Sequence, residues 1–166
     1  CDPDLRSTSG LTGGDAYKMK CAVEQKKNLT GSLLGGALYR ALAVSELNAS
    51  MGRIVAAPTA GSCGIVPAAV LTMEEMYHLS EKECGSAAAM AAAAVVELAG
   101  GTPDMIDSAV AITLKNILGL VCDPVAGLVE IPCIKRNASG VAGAFVGAEL
   151  ALAGIKSAIP ADEVII

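Results

Sequence analysis

Cys122 and Cys133 bracket the run Cys122-Asp123-Pro124-Val125-Ala126-Gly127-Leu128-Val129-Glu130-Ile131-Pro132-Cys133, and Cys84 stands upstream in a chain built largely from alanine, glycine and aliphatic residues. Two prolines and a glycine between two thiols rule out one uninterrupted helix, so the backbone must bend and both sulfurs can be aimed at a common point. A metal or a cluster is the chemistry that uses such a point. The spacing is too wide for a CxxC zinc ribbon, and no second CxxC pair accompanies it. Three thiolates with one exchangeable position instead suit an iron–sulfur cluster, whose irons are held by thiolates and can act as Lewis acids. The competing reading is that a buried cysteine is a small hydrophobe; it fits Cys21, on an expected helix, and to a lesser extent Cys63.

Two further segments carry polar chemistry. Thr12-Gly13-Gly14-Asp15 and Thr59-Ala60-Gly61-Ser62 are both loops of small and hydroxyl-bearing residues that open helices. Such a loop presents unpaired backbone N–H groups and the positive end of a helix dipole, which suits a carboxylate or phosphate. One such loop alone is more often an ordinary turn; two of them with a thiol cluster point to a small anionic ligand. Lys135-Arg136-Asn137 directly follows Cys133 and reads either as a polar helix start or as a group that holds a substrate carboxylate beside the thiols. His78, the single histidine, reads as a solvated helix end.

The elements that must position these groups are helical. Helices are expected from Ala16 to Val23 with Asp15 as its cap, from about Thr30 to Met51 on the three- and four-residue spacing of Leu34, Ala37, Leu38, Ala41 and Leu42, and from about Ala68 to His78. Alanine content predicts a fourth from Ser86 to Ala99. Thr102-Pro103 starts a fifth that runs to about Leu118, and a sixth extends from about Asn137 to Ala153, closed by Gly154. Period-two alternation is nearly absent, so the fold class is all-α: a single catalytic helical domain over residues 1–166, with glycine-rich loops converging on a cluster site.

Composition narrows the function classes. At 166 residues, with one phenylalanine, three tyrosines and no tryptophan, burial has to come from small side chains on closely packed helices. A net charge of −5 without a Lys/Arg cluster argues against a nucleic-acid partner. The apolar stretches Cys84–Val96 and Asn137–Leu152 fall short of the roughly 20 uncharged residues of a membrane span, so no membrane association is expected. Six cysteines without an export signal favour a reducing, cytoplasmic setting. A first residue of Cys1 rather than methionine suggests part of a longer polypeptide.

Several blocks resemble the α chain of bacterial iron–sulfur-dependent L-serine dehydratase. These are Thr8-Ser9-Gly10-Leu11-Thr12-Gly13-Gly14-Asp15-Ala16, Pro58-Thr59-Ala60-Gly61-Ser62, Met90 to Ala94 with Glu97-Leu98-Ala99-Gly100-Gly101-Thr102-Pro103, and Asn116 through Cys122-Asp123-Pro124-Val125-Ala126-Gly127 to Cys133-Ile134-Lys135-Arg136-Asn137-Ala138. The resemblance covers almost the whole chain. It implies an all-helical domain, a 4Fe-4S cluster held by Cys84, Cys122 and Cys133, no pyridoxal phosphate, and conversion of L-serine to pyruvate and ammonia. On this footing the fourth iron is expected to take the substrate hydroxyl, and Thr12, Gly13, Gly14, Asp15, Thr59, Ala60, Gly61, Ser62, Arg136 and Asn137 are expected to bind substrate.

Lys115 is a weak candidate for the base, which the resemblance would rather assign to a separate β chain in an oligomer. Cys84 lacks the neighbours usual in the family, so residues are expected to be missing at the join of Glu83 and Cys84 and beyond Ile166. Two readings of other classes stay open: a non-catalytic iron–sulfur sensor module, and a structural helical bundle with core cysteines.

Overall fold

The computed structural model describes residues 1–77, 88–119 and 131–165. Among the described residues there are seven helices and no strand, in accord with the all-α expectation. They are α1 (Asp15–Glu24), α2 (Gly31–Ala49), α3 (Ile65–Tyr77), α4 (Ala88–Leu98), α5 (Pro103–Ile117), α6 (Ile131–Leu152) and α7 (Ala161–Ile165), with one 3₁₀ turn at Ala60–Ser62. None of them is long and apolar enough to cross a membrane.

The centre of the packing is α6, which contacts α2, α3, α4 and α5. Its buried positions are Ile134, Asn137, Gly140, Val141, Ala144, Phe145, Gly147, Ala148 and Ala151, a three- and four-residue repeat broadened by glycines so that neighbours can close in on more than one side. Small residues set the distances. A Cβ at Gly140 would lie 2.6 Å from the Ile65 side chain, and one at Gly147 would lie 2.2 Å from Thr113 Oγ1 and 3.0 Å from the Ala109 carbonyl. Alanines at 37, 41, 69, 91, 92, 109, 144 and 148 are fully buried and fill the remaining core with valines and the single phenylalanine.

Helix ends follow the chemistry of their sequences. Gly100 and Gly154 adopt left-handed φ values of 78° and 86° beyond α4 and α6. There Gly101 N–H reaches the Val96 carbonyl and Ile155 N–H the Leu150 carbonyl, closing both helices in the six-to-one pattern. Gly154 therefore stops α6 as its position predicted. Lys26 and Met51 take the same left-handed role after α1 and α2, without glycine.

Two helix starts differ from expectation. The third helix begins at Ile65 rather than Ala68 and the sixth at Ile131 rather than Asn137, because Pro67 and Pro132 sit in first turns, where a missing N–H leaves no intrahelical bond unmade. Prolines read as loop markers thus mark helix starts. Cys133, Lys135, Arg136 and Asn137 consequently ride on the first two turns of α6 and not on a loop. The short α7, behind Pro160, was not anticipated.

Closure around Gly147 makes a direct test of the packing. Gly147→Ala has no room against Thr113 and Ala109 and is expected to destabilise the fold by about 1–3 kcal/mol, read as a lowered urea midpoint with an unchanged far-UV spectrum; an unchanged midpoint would show that α5 and α6 can separate freely.

Candidate functional site

The first turns of α6 are fixed by one buried amide. Asn137 is 2% exposed. Its Nδ2 donates to the Gly61 carbonyl at 2.7 Å and to the Cys133 carbonyl at 2.8 Å, while its Oδ1 accepts the Gly64 N–H at 2.8 Å. All the chemistry of this side chain is spent on backbone, so Asn137 holds the Thr59–Ser62 loop against the turn that carries Cys133. Gly64 makes the approach possible, since a Cβ there would meet the Ala41 carbonyl at 2.3 Å and Ser45 Oγ at 2.6 Å.

Beside this contact lies a cavity of about 80 Å³ lined by Ser45, Asn48, Gly61, Cys133 and Asn137, with Ala49, Ala60 and Ile134 at its edges. Cys133 is half-buried at the amide end of a 22-residue helix, where the dipole favours negative charge. On the loop side, Asn48 Nδ2 donates to the Ala60 carbonyl at 3.0 Å and Thr59 Oγ1 lies 3.1 Å from Ser62 Oγ. Ala60 and Gly61 are exposed residues, and no hydrogen bond from their N–H groups to another described residue is found.

The Thr12–Asp15 loop reaches the same end of α6 by a different route. Gly13 and Gly14 have φ values of 140° and 77°, and a Cβ at Gly13 would lie 2.1 Å from the Leu5 carbonyl. Asp15 does not cap α1; Gly14 is the capping residue, and the amide terminus is taken by a carboxylate from α2. Glu46, 3% exposed, accepts the Asp15 N–H at 2.7 Å and the Ala16 N–H at 3.3 Å. The donors expected to bind an external anion thus already hold an internal one. Asp15 turns its own carboxylate outward to Lys18, at 2.9 Å, and to Lys135 of α6. Its pKa is lowered, first by the hydrogen bond from Lys135 and then by that from Lys18, against partial desolvation.

The remaining expected residues divide as follows. Arg136 is half-buried beside Lys135 and forms no ion pair among the described residues. Lys115 Nζ donates to Ser157 Oγ at 2.6 Å. Its helix meets α6 at Gly147, fourteen residues or about 21 Å along the axis from Cys133, so Lys115 does not share the Cys133 cavity. Cys63 is 0% exposed with its sulfur toward the Val44 carbonyl, and burial pushes its thiol pKa up. Cys84, Cys122, His78 and the join of Glu83 and Cys84 lie outside the described residues. Among the described residues no group of three or more His, Cys, Asp or Glu side chains could hold a metal.

Sequence reasoning missed Ser45, Glu46 and Asn48. A signal was available for Glu46: it falls on the apolar stripe of α2, and a carboxylate at a core position must find donors.

Comparison with known proteins gives consistent results. The family model for the serine dehydratase alpha chain matches residues 2–83 and 80–166. The chain is 47% identical over 192 residues to the probable L-serine dehydratase, alpha chain, of Bacillus subtilis, covering 97% of this chain and 64% of that protein. It is 47% identical over 201 residues to the L-serine dehydratase, alpha chain, of Peptoniphilus asaccharolyticus, covering 96% and 69% respectively. To L-serine dehydratase 1 of Escherichia coli it is 38% identical over 144 residues, 68% of this chain but 32% of that protein. The chain therefore spans about two thirds of the length of the alpha-chain relatives and a third of the longer one.

Two outcomes follow from this geometry. Because Asp15 has a lowered pKa, its contribution to stability is fully present above its unfolded value near 3.8 and is lost as pH falls through the folded value. Asp15→Asn should therefore lower stability by up to about 1 kcal/mol at pH 7 and flatten the acid limb of the urea-midpoint profile; a parallel profile would remove the link. For Cys63, iodoacetamide labelling of the native protein at pH 8 should leave its peptide unmodified while Cys1 and Cys21 react, with Cys63 labelled only after urea is added.

Proposed function

Since the chain belongs to the serine dehydratase alpha chain family, we propose that it is the alpha-chain part of an L-serine dehydratase, which removes water from L-serine to give aminoacrylate and, on hydrolysis, pyruvate and ammonia. In this reading Cys84, Cys122 and Cys133 hold a 4Fe-4S cluster. Thiolates are the donors that such a cluster needs, and Cys133 offers one at a helix amide end facing a polar cavity. When bound, the cluster supplies Lewis acidity toward the substrate hydroxyl, without pyridoxal phosphate.

The chain's own residues supply position. The N–H groups of Ala60 and Gly61, which bond to no other described residue, with the hydroxyls of Thr59 and Ser62, suit the substrate carboxylate, and Arg136 adds positive charge on the adjacent turn. Asn137 keeps loop and helix in register so that these groups converge on the Cys133 cavity. Thr12, Gly13, Gly14 and Asp15 serve by fixing the start of α1, which Glu46 of α2 fills and which Asp15 ties to Lys135 of α6. The proton acceptor belongs to a β chain, the assembly is an oligomer, and the reducing cytoplasm suits the thiols.

The observation that carries this reading is the meeting of the Thr59–Ser62 loop with the Cys133 turn through one buried asparagine. We also propose that residues present in relatives are missing near Glu83 and Cys84. In support, the two matched stretches meet at residues 80–83, and 192 aligned positions against 166 residues leave at least 26 that this chain does not fill.

Anaerobic reconstitution with iron and sulfide, followed by absorption spectra, iron analysis and pyruvate formation from L-serine with a β chain added, tests the proposal. Cys122→Ala and Cys133→Ala should lose bound iron and at least about 100-fold in activity, with Cys21→Ala unaffected. A wild-type protein that stays colourless and iron-free would point to a structural bundle, and a cluster that ignores L-serine to a sensor.

A further inference from the structure

We infer that Glu46 and Asp15 are positioning residues for Cys133, acting through Lys135; the inference deepens the proposed function and takes Cys133 as a ligand from it. The argument begins with a cost. A carboxylate that is 3% exposed, as in Glu46, is retained only where donors replace water. The donors are the Asp15 and Ala16 amides, at 2.7 and 3.3 Å from Oε1, with the Ala16 N–H also 3.4 Å from Oε2. The start of α1 is thereby pinned to the last turn of α2, and with it the direction in which the Asp15 side chain leaves the helix.

That side chain bridges to Lys135, two residues beyond Cys133 on α6. Lys135 occupies a poor place by itself. A cation in the opening turns of a 22-residue helix faces the positive end of the dipole, and Arg136 stands next to it. Asp15 supplies the countercharge that makes the placement favourable, so the pair acts as a tie across the two helix starts. From the opposite side, Asn137 Nδ2 holds the Cys133 carbonyl. The turn bearing Cys133 is thus held by two independent restraints, one buried and neutral, one half-exposed and ionic. Only the ionic one depends on Glu46, through the Asp15 amide that Glu46 holds.

The experiment is a double-mutant cycle with the full chain, using Asp15→Asn, Lys135→Met and their combination. The readout is the rate of iodoacetamide labelling at Cys133, followed by peptide mass spectrometry, beside iron content after anaerobic reconstitution. Each single variant should change the labelling rate by about threefold or more in the same direction, and the double variant no more than either. Lys135→Arg should restore the wild-type rate. Glu46→Gln should shift the rate as Asp15→Asn does; if that variant fails to fold, the surface cycle still decides.

Unchanged labelling in folded single variants, or effects that simply add, would overturn the inference. Iron content separates it from the reading beneath it. Wild-type protein that binds no iron, but whose Cys133 rate still follows the cycle, would sink the cluster and leave the positioning role. Iron bound equally well by every variant, with labelling rates unchanged, would sink the positioning role alone.

Discussion

The three hydrogen bonds of Asn137 are the constraint on which the rest of the arrangement depends. An amide side chain that is 2% exposed and left without partners would cost about 1–3 kcal/mol, so the bonds and the burial require one another. Its two donors go to carbonyls in different elements, Gly61 in the 3₁₀ turn and Cys133 in α6, and its acceptor takes an amide at the start of α3. An apolar residue of the same volume would fill the space without specifying which loop residue faces which turn. The polar network specifies it, and the register of the Cys133 cavity follows.

Such a network can exist only where backbones approach closely, and the composition provides for that. Gly64 lets the Ala41 carbonyl, Ser45 and Asn137 converge on one point, where any larger residue would collide with backbone. Alanines on α2, α4, α5 and α6 bring the helix axes near enough for the few larger side chains to bridge them. The near absence of aromatic residues is therefore tied to the site. A core filled by phenylalanine or tryptophan would push α6 away from the 3₁₀ turn and open the contact that Asn137 makes.

Much of this was legible in the sequence, and the illegible parts share one cause. The periodicity of α2, the Thr102-Pro103 start of α5 and the Gly154 stop of α6 are local signals that tertiary packing did not overrule. Pro67 and Pro132 misled because proline forbids a helix interior but permits a first turn, and the sequence alone does not distinguish the two. Glu46 was passed over because its role lies 31 residues away, at the amide of Asp15. Asn137 was recognised as a polar residue near the thiols, but a substrate ligand and a backbone clamp look identical in a sequence; only the partners tell them apart.

The two glycine loops show how far apart similar motifs can be carried by their surroundings. Both have a threonine, small residues and a polar end, and both open onto a helix start. At Thr12–Asp15 the helix is ten residues long, its amide end is buried, and a carboxylate from α2 satisfies it. At Thr59–Ser62 the exposed residues Ala60 and Gly61 share a cavity with Cys133 whose α2 side is lined by Ser45 and Asn48 and by no acidic side chain. An anion approaching the first loop must displace Glu46 and leave its charge buried without donors, at a cost of several kcal/mol. At the second loop no acidic side chain lines the adjoining cavity. The difference between the two loops therefore resides in the α2 residues facing them: a glutamate fills the first, and a serine and an asparagine stand beside the second.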